Sequence, residues 1–377
     1  MSKTNKIAHV YFEQLNGVRF LAVLLVLIDH WFAETLPIPL GHLGVVIFFV
    51  LSGFLITRIL FEQADDIRQN SISFWVKVKN FIVRRSLRIF PIYFLVCFLG
   101  LVLNISPIRK EWIWLFTYTP NWYIMFKHTW LGVWDHFWSL AVEEQYYLLF
   151  PYFIFLLPIK KYKWLFLFML LVGVLSRFIF YINYTAIERE NFWLINYVNP
   201  FAAIDCFGLG GILAYFFHFG FFEKVRKWFN ALTIIFALIL TISILLLNHF
   251  QELKHASFGF LVIERFIFAL FSFIFLGYSI QGKASVLGKF LTFQPIEYLG
   301  KISYGIYLYH NFIFNIYHNQ GNTLFGFLDN RFGLSQIFLF QNQFLLFLFN
   351  FVLLTILAFL SWNLIEKPFN KLKNNFN

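Results

Sequence analysis

Arg19 and His30 stand eleven positions apart inside an apolar run that extends from Gly17 to Phe32. Eleven steps of about 100° bring a helix almost back to its starting direction, and at about 1.5 Å per residue they climb roughly 16 Å. The two side chains would then share one face, about half a hydrocarbon core apart. Arginine carries a fixed cationic fork suited to phosphate oxygens, and neutral histidine can take a proton from a hydroxyl near physiological pH. Ionisable groups inside a membrane span are costly enough to make function the default reading. The pair suggests a site that holds a long anionic molecule at one end and reacts with it at the other.

Three further segments offer chemistry. Phe48 to Gly53 ends on Ser52 and Gly53, small residues that permit close approach by another helix or by a ligand. Arg84, Arg85 and Arg88 precede Pro91; Arg85 and Arg88 are i, i+3 neighbours on one helix face, placed for bidentate phosphate binding or as anchors of topology. The stretch from His136 to Tyr147 brings Trp138, Glu143 and Glu144 to the outer start of a fourth span. Just before it, Trp112, Trp114, Trp122, Trp130 and Trp134 with Tyr118 and Tyr123 form either an interfacial aromatic belt or the flat walls of a carbohydrate pocket. Arg177 and Arg265 also fall inside apolar runs, where Asp205 and Glu264 are available as partners.

These residues must be positioned by membrane helices. The chain has 377 residues, 60% hydrophobic and 13% charged, with 56 Phe, and a mean hydropathy of +0.69. No soluble domain of this size needs so much apolar surface. Runs long enough to cross a bilayer recur at about 15–33, 40–60, 81–103, 137–158, 163–183, 197–218, 230–249, 258–280, 296–317 and 343–365. The expected fold is all-α and polytopic, with about ten transmembrane helices. A cytoplasmic N-terminus puts most of the 30 Lys and Arg on the inner side, so both termini read as cytoplasmic and the localisation as the inner (cytoplasmic) membrane. The basic residues line helix ends, so the net charge of +11 is no nucleic-acid signal. The first run lacks a signal-peptide cleavage site. Cys97 and Cys206 read as small core residues, and no cluster has metal-ligand spacing. One membrane domain over residues 1–377 is the economical division, with no appended soluble domain and any extracytoplasmic partner a separate protein.

Taken together, the segments resemble the acyltransferase-3 family of membrane O-acyltransferases, bacterial enzymes that modify cell-surface glycans. The family's basic residue, ten others and histidine fall on Arg19 and His30; its Phe-Phe-x-x-Ser-Gly on Phe48 to Gly53; its Arg-x-x-Arg on Arg85 and Arg88. Its Trp-Ser-Leu-x-Val-Glu-Glu-Gln falls on Trp138 to Gln145, a Ser-Tyr-x-x-Tyr-x-x-His stretch on Ser303 to His310, and a Glu-Lys-Pro ending on Glu366 to Pro368. The order and spacing of these motifs carry the resemblance; no one of them does alone.

The resemblance implies transfer of an acyl group, usually acetyl, from cytoplasmic acyl-CoA to a hydroxyl of a surface glycan or lipid-linked saccharide. Acetyl-CoA would be a donor substrate, with no permanently bound cofactor. Arg19, Arg85, Arg88 and Ser52 are then candidates for donor binding, and Trp138, Glu143, His136 and His310 for acceptor binding. His30 would act as general base on the acceptor hydroxyl or carry the acyl group itself. A carboxylate would help orient its ring. Asp29 points about 100° away on the helix, Glu34 is i+4, and Glu143 and Glu144 come from another helix at a similar outer depth, with Glu144 favoured of the two. A transporter or flippase is the alternative from another class. It would favour broken helices at matching positions in two inverted halves, a pattern this sequence lacks.

Overall fold

Apolar runs have no water in hydrocarbon to satisfy their backbone, so they cross it as helices. The computed structural model is 88% helix, with no strands among the described residues. It describes residues 11–32, 39–70, 72–184, 193–229, 258–282, 285–318 and 338–376, with the single positions 329, 331 and 333. The longer helices are α1 (Gln14–Trp31), α2 (Leu40–Asn70), α3 (Phe74–Val102), α4 (Phe137–Leu156), α5 (Tyr162–Tyr184), α6 (Pro200–His218), α7 (Arg265–Ser279), α8 (Ser303–His318) and α9 (Gln343–Ser361). Short helices join them, among them Trp193–Val198, Val286–Leu291 and Gln294–Lys301.

Six stretches among the described residues are long and apolar enough to cross a membrane: Leu40–Asn70, Phe74–Val102, Ile159–Asn183, Trp193–His218, Gly259–Ser279 and Gln343–Asn375. These six do not by themselves confirm the count of about ten read from the sequence. Part of the difference has a physical source: α8 has 16 described residues and is too short to count, while α1 and α4 carry Arg19, Asp29, His30, Glu143 and Glu144. Those polar residues lower the hydropathy of the helices that hold them. The run at 230–249 and Glu34 lie outside the described residues.

Local sequence sets the helix ends. Asn199 caps α6 by accepting from the Phe201 backbone N–H at 2.9 Å, and Pro200 fills the first turn, where no N–H partner is needed. In the span of α2, 72% of residues are buried, against 22% in those of α5 and α9. Thus α2 is a central helix, while α5 and α9 turn apolar side chains outward. Glycine decides how closely α2 and α6 can cross. A Cβ on Gly53 would meet the Phe207 carbonyl, and one on Gly210 would meet the Val50 carbonyl.

The N-terminal end of α1 is fixed in the same way. Gly17 lies against the Leu291 backbone, and Gly300 against the Asn16 carbonyl. Asn16 Nδ2 donates to Glu297 Oε1 at 3.3 Å, and Lys301 pairs with the same carboxylate at 3.0 Å. Asn16 Oδ1 in turn accepts from Arg19 Nη1 at 2.9 Å. The short helix Gln294–Lys301 therefore holds the residue that holds Arg19.

Candidate active site

A cavity enclosed by α1, α2, α3, α4 and α8 has about 870 Å³ of unoccupied space, counting its open mouth. Arg19, Arg85 and Arg88 line it, together with Ser52, Glu143, Glu144 and Tyr147. Six residues singled out from four separate sequence segments thus meet in one place. The remaining four, His30, Trp138, His136 and His310, are not part of this lining.

The electrostatics of the cavity are unusual. Among the described residues, no carboxylate comes within ion-pair distance of Arg19, Arg85 or Arg88. Buried Arg177, by contrast, grips Asp205 with two hydrogen bonds of 3.0 and 2.6 Å, so the protein pairs an intramembrane arginine where the role is structural. Arg85 lies instead over the rings of Phe81 and Tyr147, at 5.7 and 5.8 Å from their centroids. Guanidinium groups held at a cavity wall without an ion-paired carboxylate keep their hydrogen-bond forks open to an anion.

The two glutamates differ in their engagement. Glu143 accepts from Ser52 Oγ at 2.9 Å and is bonded by Tyr147 OH at 3.0 Å; that same phenol lies 2.9 Å from Ser52 Oγ. Glu144 leaves its buried Oε1 with no hydrogen-bond partner. Both residues lie about two turns into α4, roughly 10 Å beyond the helix start. They therefore share the arginines' cavity and not the level of His30, near the C-terminal end of α1. The described partners of His30 are two other residues.

Those partners form a histidine cluster. His30 Nδ1 lies 2.9 Å from His310 Nε2 and 3.1 Å from Asn311 Oδ1. Asn311 Nδ2 lies 3.1 Å from His136 Nδ1, whose Nε2 is 3.0 Å from the Leu308 carbonyl; His310 Nδ1 is 2.6 Å from the Tyr307 carbonyl. These partners assign the protons of the neutral rings. A carbonyl can only accept, so His310 carries its proton on Nδ1 and His136 on Nε2. His310 Nε2 and Asn311 Oδ1 are then both acceptors, and His30 must donate to them from Nδ1. The lone pair of His30 is left on Nε2. Asp29 takes no part in this bonding, its carboxylate being packed against the Cα of Gly41.

Ser139 and Tyr307 stand where the cavity meets the histidines. Both line the cavity, their hydroxyls are 2.6 Å apart, and each approaches the His136 carbonyl, at 3.1 and 3.3 Å. Trp138 is buried two residues from His136, with its ring 5.2 Å from that of Tyr197 and 6.0 Å from that of Phe49. Of the tryptophans between 112 and 134, Trp134 is fully buried and Trp112 is exposed, so they do not form one common wall.

Sequence reasoning missed Asn311, Ser139, Tyr307 and Tyr147. Each adjoins or lies within a motif already noted, but a neutral amide or hydroxyl gives no charge signal. If Asn311 sets the tautomer of His30, Asn311→Leu is expected to lower kcat of the reaction proposed below by about 10- to 100-fold, with little change in acyl-CoA affinity. Asn311→Asp still accepts from Nδ1–H and is expected to recover part of that loss. Equal damage by both substitutions, or a change confined to KM, would assign Asn311 to packing.

The helices and the buried polar site define a multi-pass membrane protein. The model of the acyltransferase domain (Acyl_transf_3) matches residues 12–363, and the chain belongs to that family. It is 30% identical over 337 residues to the peptidoglycan O-acetyltransferase OatA of Listeria monocytogenes, covering 82% of this chain and 50% of that protein. It is 28% identical over 385 residues to the O-acetyltransferase OatA of Staphylococcus aureus, covering 96% of this chain and 57% of that protein. The chain spans about half the length of the curated relatives it matches. No solved structure matches it.

Proposed function

We propose that this protein is a membrane O-acetyltransferase that moves an acetyl group from cytoplasmic acetyl-CoA to a sugar hydroxyl of an extracytoplasmic glycan, with peptidoglycan, named for the Listeria relative, as the acceptor. The observation that carries this reading is the cavity lined by three guanidiniums without carboxylate partners, adjoining a histidine network whose bonding leaves one free lone pair on His30. In this reading the donor phosphates meet Arg19, Arg85 and Arg88, and the pantetheine arm extends past Ser139 and Tyr307. His30 Nε2 takes the proton of the acceptor hydroxyl, the sugar oxygen bonds to the thioester carbonyl carbon, and the carbon–sulfur bond breaks. The departing CoA thiolate takes up the proton, leaving His30 neutral.

The same lone pair could carry the acetyl group as an acyl-imidazole before transfer. Ten spans with both termini cytoplasmic, in the cytoplasmic membrane, give this reaction its direction: Arg19 toward the donor and His30 toward the acceptor. The test is direct. The purified protein in nanodiscs, given acetyl-labelled acetyl-CoA and peptidoglycan fragments, is expected to form a base-labile ester on the glycan, identified by mass spectrometry. A flippase would form no ester and release no CoA.

A further inference from the structure

When an acceptor oxygen bonds to a thioester carbon, the carbonyl electron pair moves onto its oxygen, and a hydrogen-bond donor already aimed there is worth about 10²- to 10³-fold in kcat. Position separates the hydroxyls that line the arginine cavity. Ser52 and Tyr147 are engaged by Glu143, at 2.9 and 3.0 Å. Ser303 and Tyr304 open α8 at the arginine end, where Tyr304 OH lies 3.4 Å from the carbonyl of Ile89, the residue after Arg88. Tyr307 stands one turn further along, about 4.5 Å beyond Tyr304 and as far short of His310, whose Nε2 meets His30. A thioester carried away from the arginines therefore reaches Tyr307 before it reaches the histidines.

The bonding of Tyr307 leaves its proton available. Its OH and Ser139 Oγ carry two protons between them, and one of these occupies their mutual bond of 2.6 Å. Where Ser139 donates to the phenol oxygen, the phenol proton has only the His136 carbonyl, at 3.3 Å. That distance exceeds the usual O–H···O range of roughly 2.5–3.0 Å. His136 is also the N-cap of α4, and an N-cap carbonyl already accepts the first backbone bond of its helix. The phenol proton can thus turn to a substrate oxygen at little cost, and the carbonyl keeps its helical partner. The ring itself is held among Phe48, His136 and His310, at 6.0, 5.7 and 5.4 Å between centroids.

We infer that the Tyr307 hydroxyl is a catalytic donor to the thioester carbonyl oxygen, with Ser139 as the positioning residue that holds the phenol oxygen. The acceptor oxygen bonds to the carbonyl carbon, the displaced pair rests on an oxyanion bonded by Tyr307, and the pair returns as the carbon–sulfur bond breaks. The phenol keeps its proton throughout. The inference deepens the transferase reading and rests on it.

Isotope-edited infrared spectroscopy on the purified protein in nanodiscs tests the inference. The probe is acetonyl-CoA labelled at its carbonyl, a ketone whose methylene between sulfur and carbonyl prevents transfer. Bound to the wild type, its carbonyl band is expected below that of a simple acetonyl thioether in hydrocarbon solvent, and in Tyr307→Phe it is expected to return toward that position. Phenylalanine keeps the ring contacts and Ser139 keeps the His136 carbonyl, at 3.1 Å. The variant is therefore expected to melt as the wild type does, to bind acetyl-CoA unchanged and to lose about 10²-fold in kcat. An unlowered band in the wild type, or one equally lowered in the folded variant, overturns the inference. If Tyr307→Phe does not melt cooperatively, 3-fluorotyrosine at position 307 keeps the shape with a stronger donor; it is expected to lower the band further, and an unmoved band overturns the inference as well. Activity tells two failures apart. A wild type that forms no ester refutes the transferase reading and the inference with it, whereas an active wild type whose folded Tyr307→Phe variant turns over as fast overturns the inference alone.

Discussion

His30→Ala is expected to abolish measurable acetyl transfer, a loss of at least about 10²- to 10⁴-fold, while donor binding persists. The expectation follows from the bonding of the ring. His30 Nδ1 is committed to His310 and Asn311, which fixes the tautomer and points the basic Nε2 away from them. Alanine is the best helix former, so α1 should survive the change, and the arginine cavity has no lining atom from His30. The substitution does orphan His310 Nε2 and Asn311 Oδ1, at about 1–3 kcal/mol for each unsatisfied buried group. The variant must therefore be shown to be monodisperse and to melt cooperatively before its activity is read. A folded variant that transfers acetyl at the wild-type rate would remove His30 from the mechanism. In the wild type, rapid mixing with acetyl-CoA and no acceptor separates the two roles. A stoichiometric burst of CoA marks an acyl-histidine; no burst marks a general base.

The sequence was most legible where charge interrupts apolar runs. Arg19, Ser52, Arg85, Arg88, Glu143 and Glu144 came from four segments and line one cavity, because helices project residues of suitable spacing into a shared interior. The same polar residues obscured the fold, since they lower the hydropathy of α1 and α4 and take these helices out of the apolar set. Depth along a helix was harder to read than membership of a site. Glu143 looks like the start of a span until the helix is seen to begin at Phe137, which carries the glutamate about two turns inward. The partners of His30 were not legible at all. Asn311 follows His310 directly, yet nothing in an uncharged amide announces that its two ends bridge histidines from different helices. Nor does local sequence disclose that Glu264 meets His42 across 222 positions.

Arg85→Ala and Arg88→Ala are each expected to weaken acetyl-CoA binding by about 10- to 100-fold, the equivalent of one lost charge-assisted hydrogen-bond pair, and to flatten its dependence on salt. Arg85→Lys keeps the charge without the planar fork and should fall between. Lys160→Ala, at a turn whose residues are exposed and do not line the cavity, should leave affinity unchanged although it removes the same charge. Melting temperature then separates a phosphate receptor from a topological anchor. Without ligand, Arg19, Arg85 and Arg88 share one cavity with Glu143 and Glu144 but have no carboxylate in ion-pair range among the described residues, so removing one guanidinium breaks no ion pair and relieves repulsion from the other two. Arg85→Ala should therefore melt no lower than the wild type without ligand, yet gain less stability when acetyl-CoA is added. An anchor has no reason to show this opposition: its loss would lower the ligand-free melting temperature and leave the ligand-induced rise as it was.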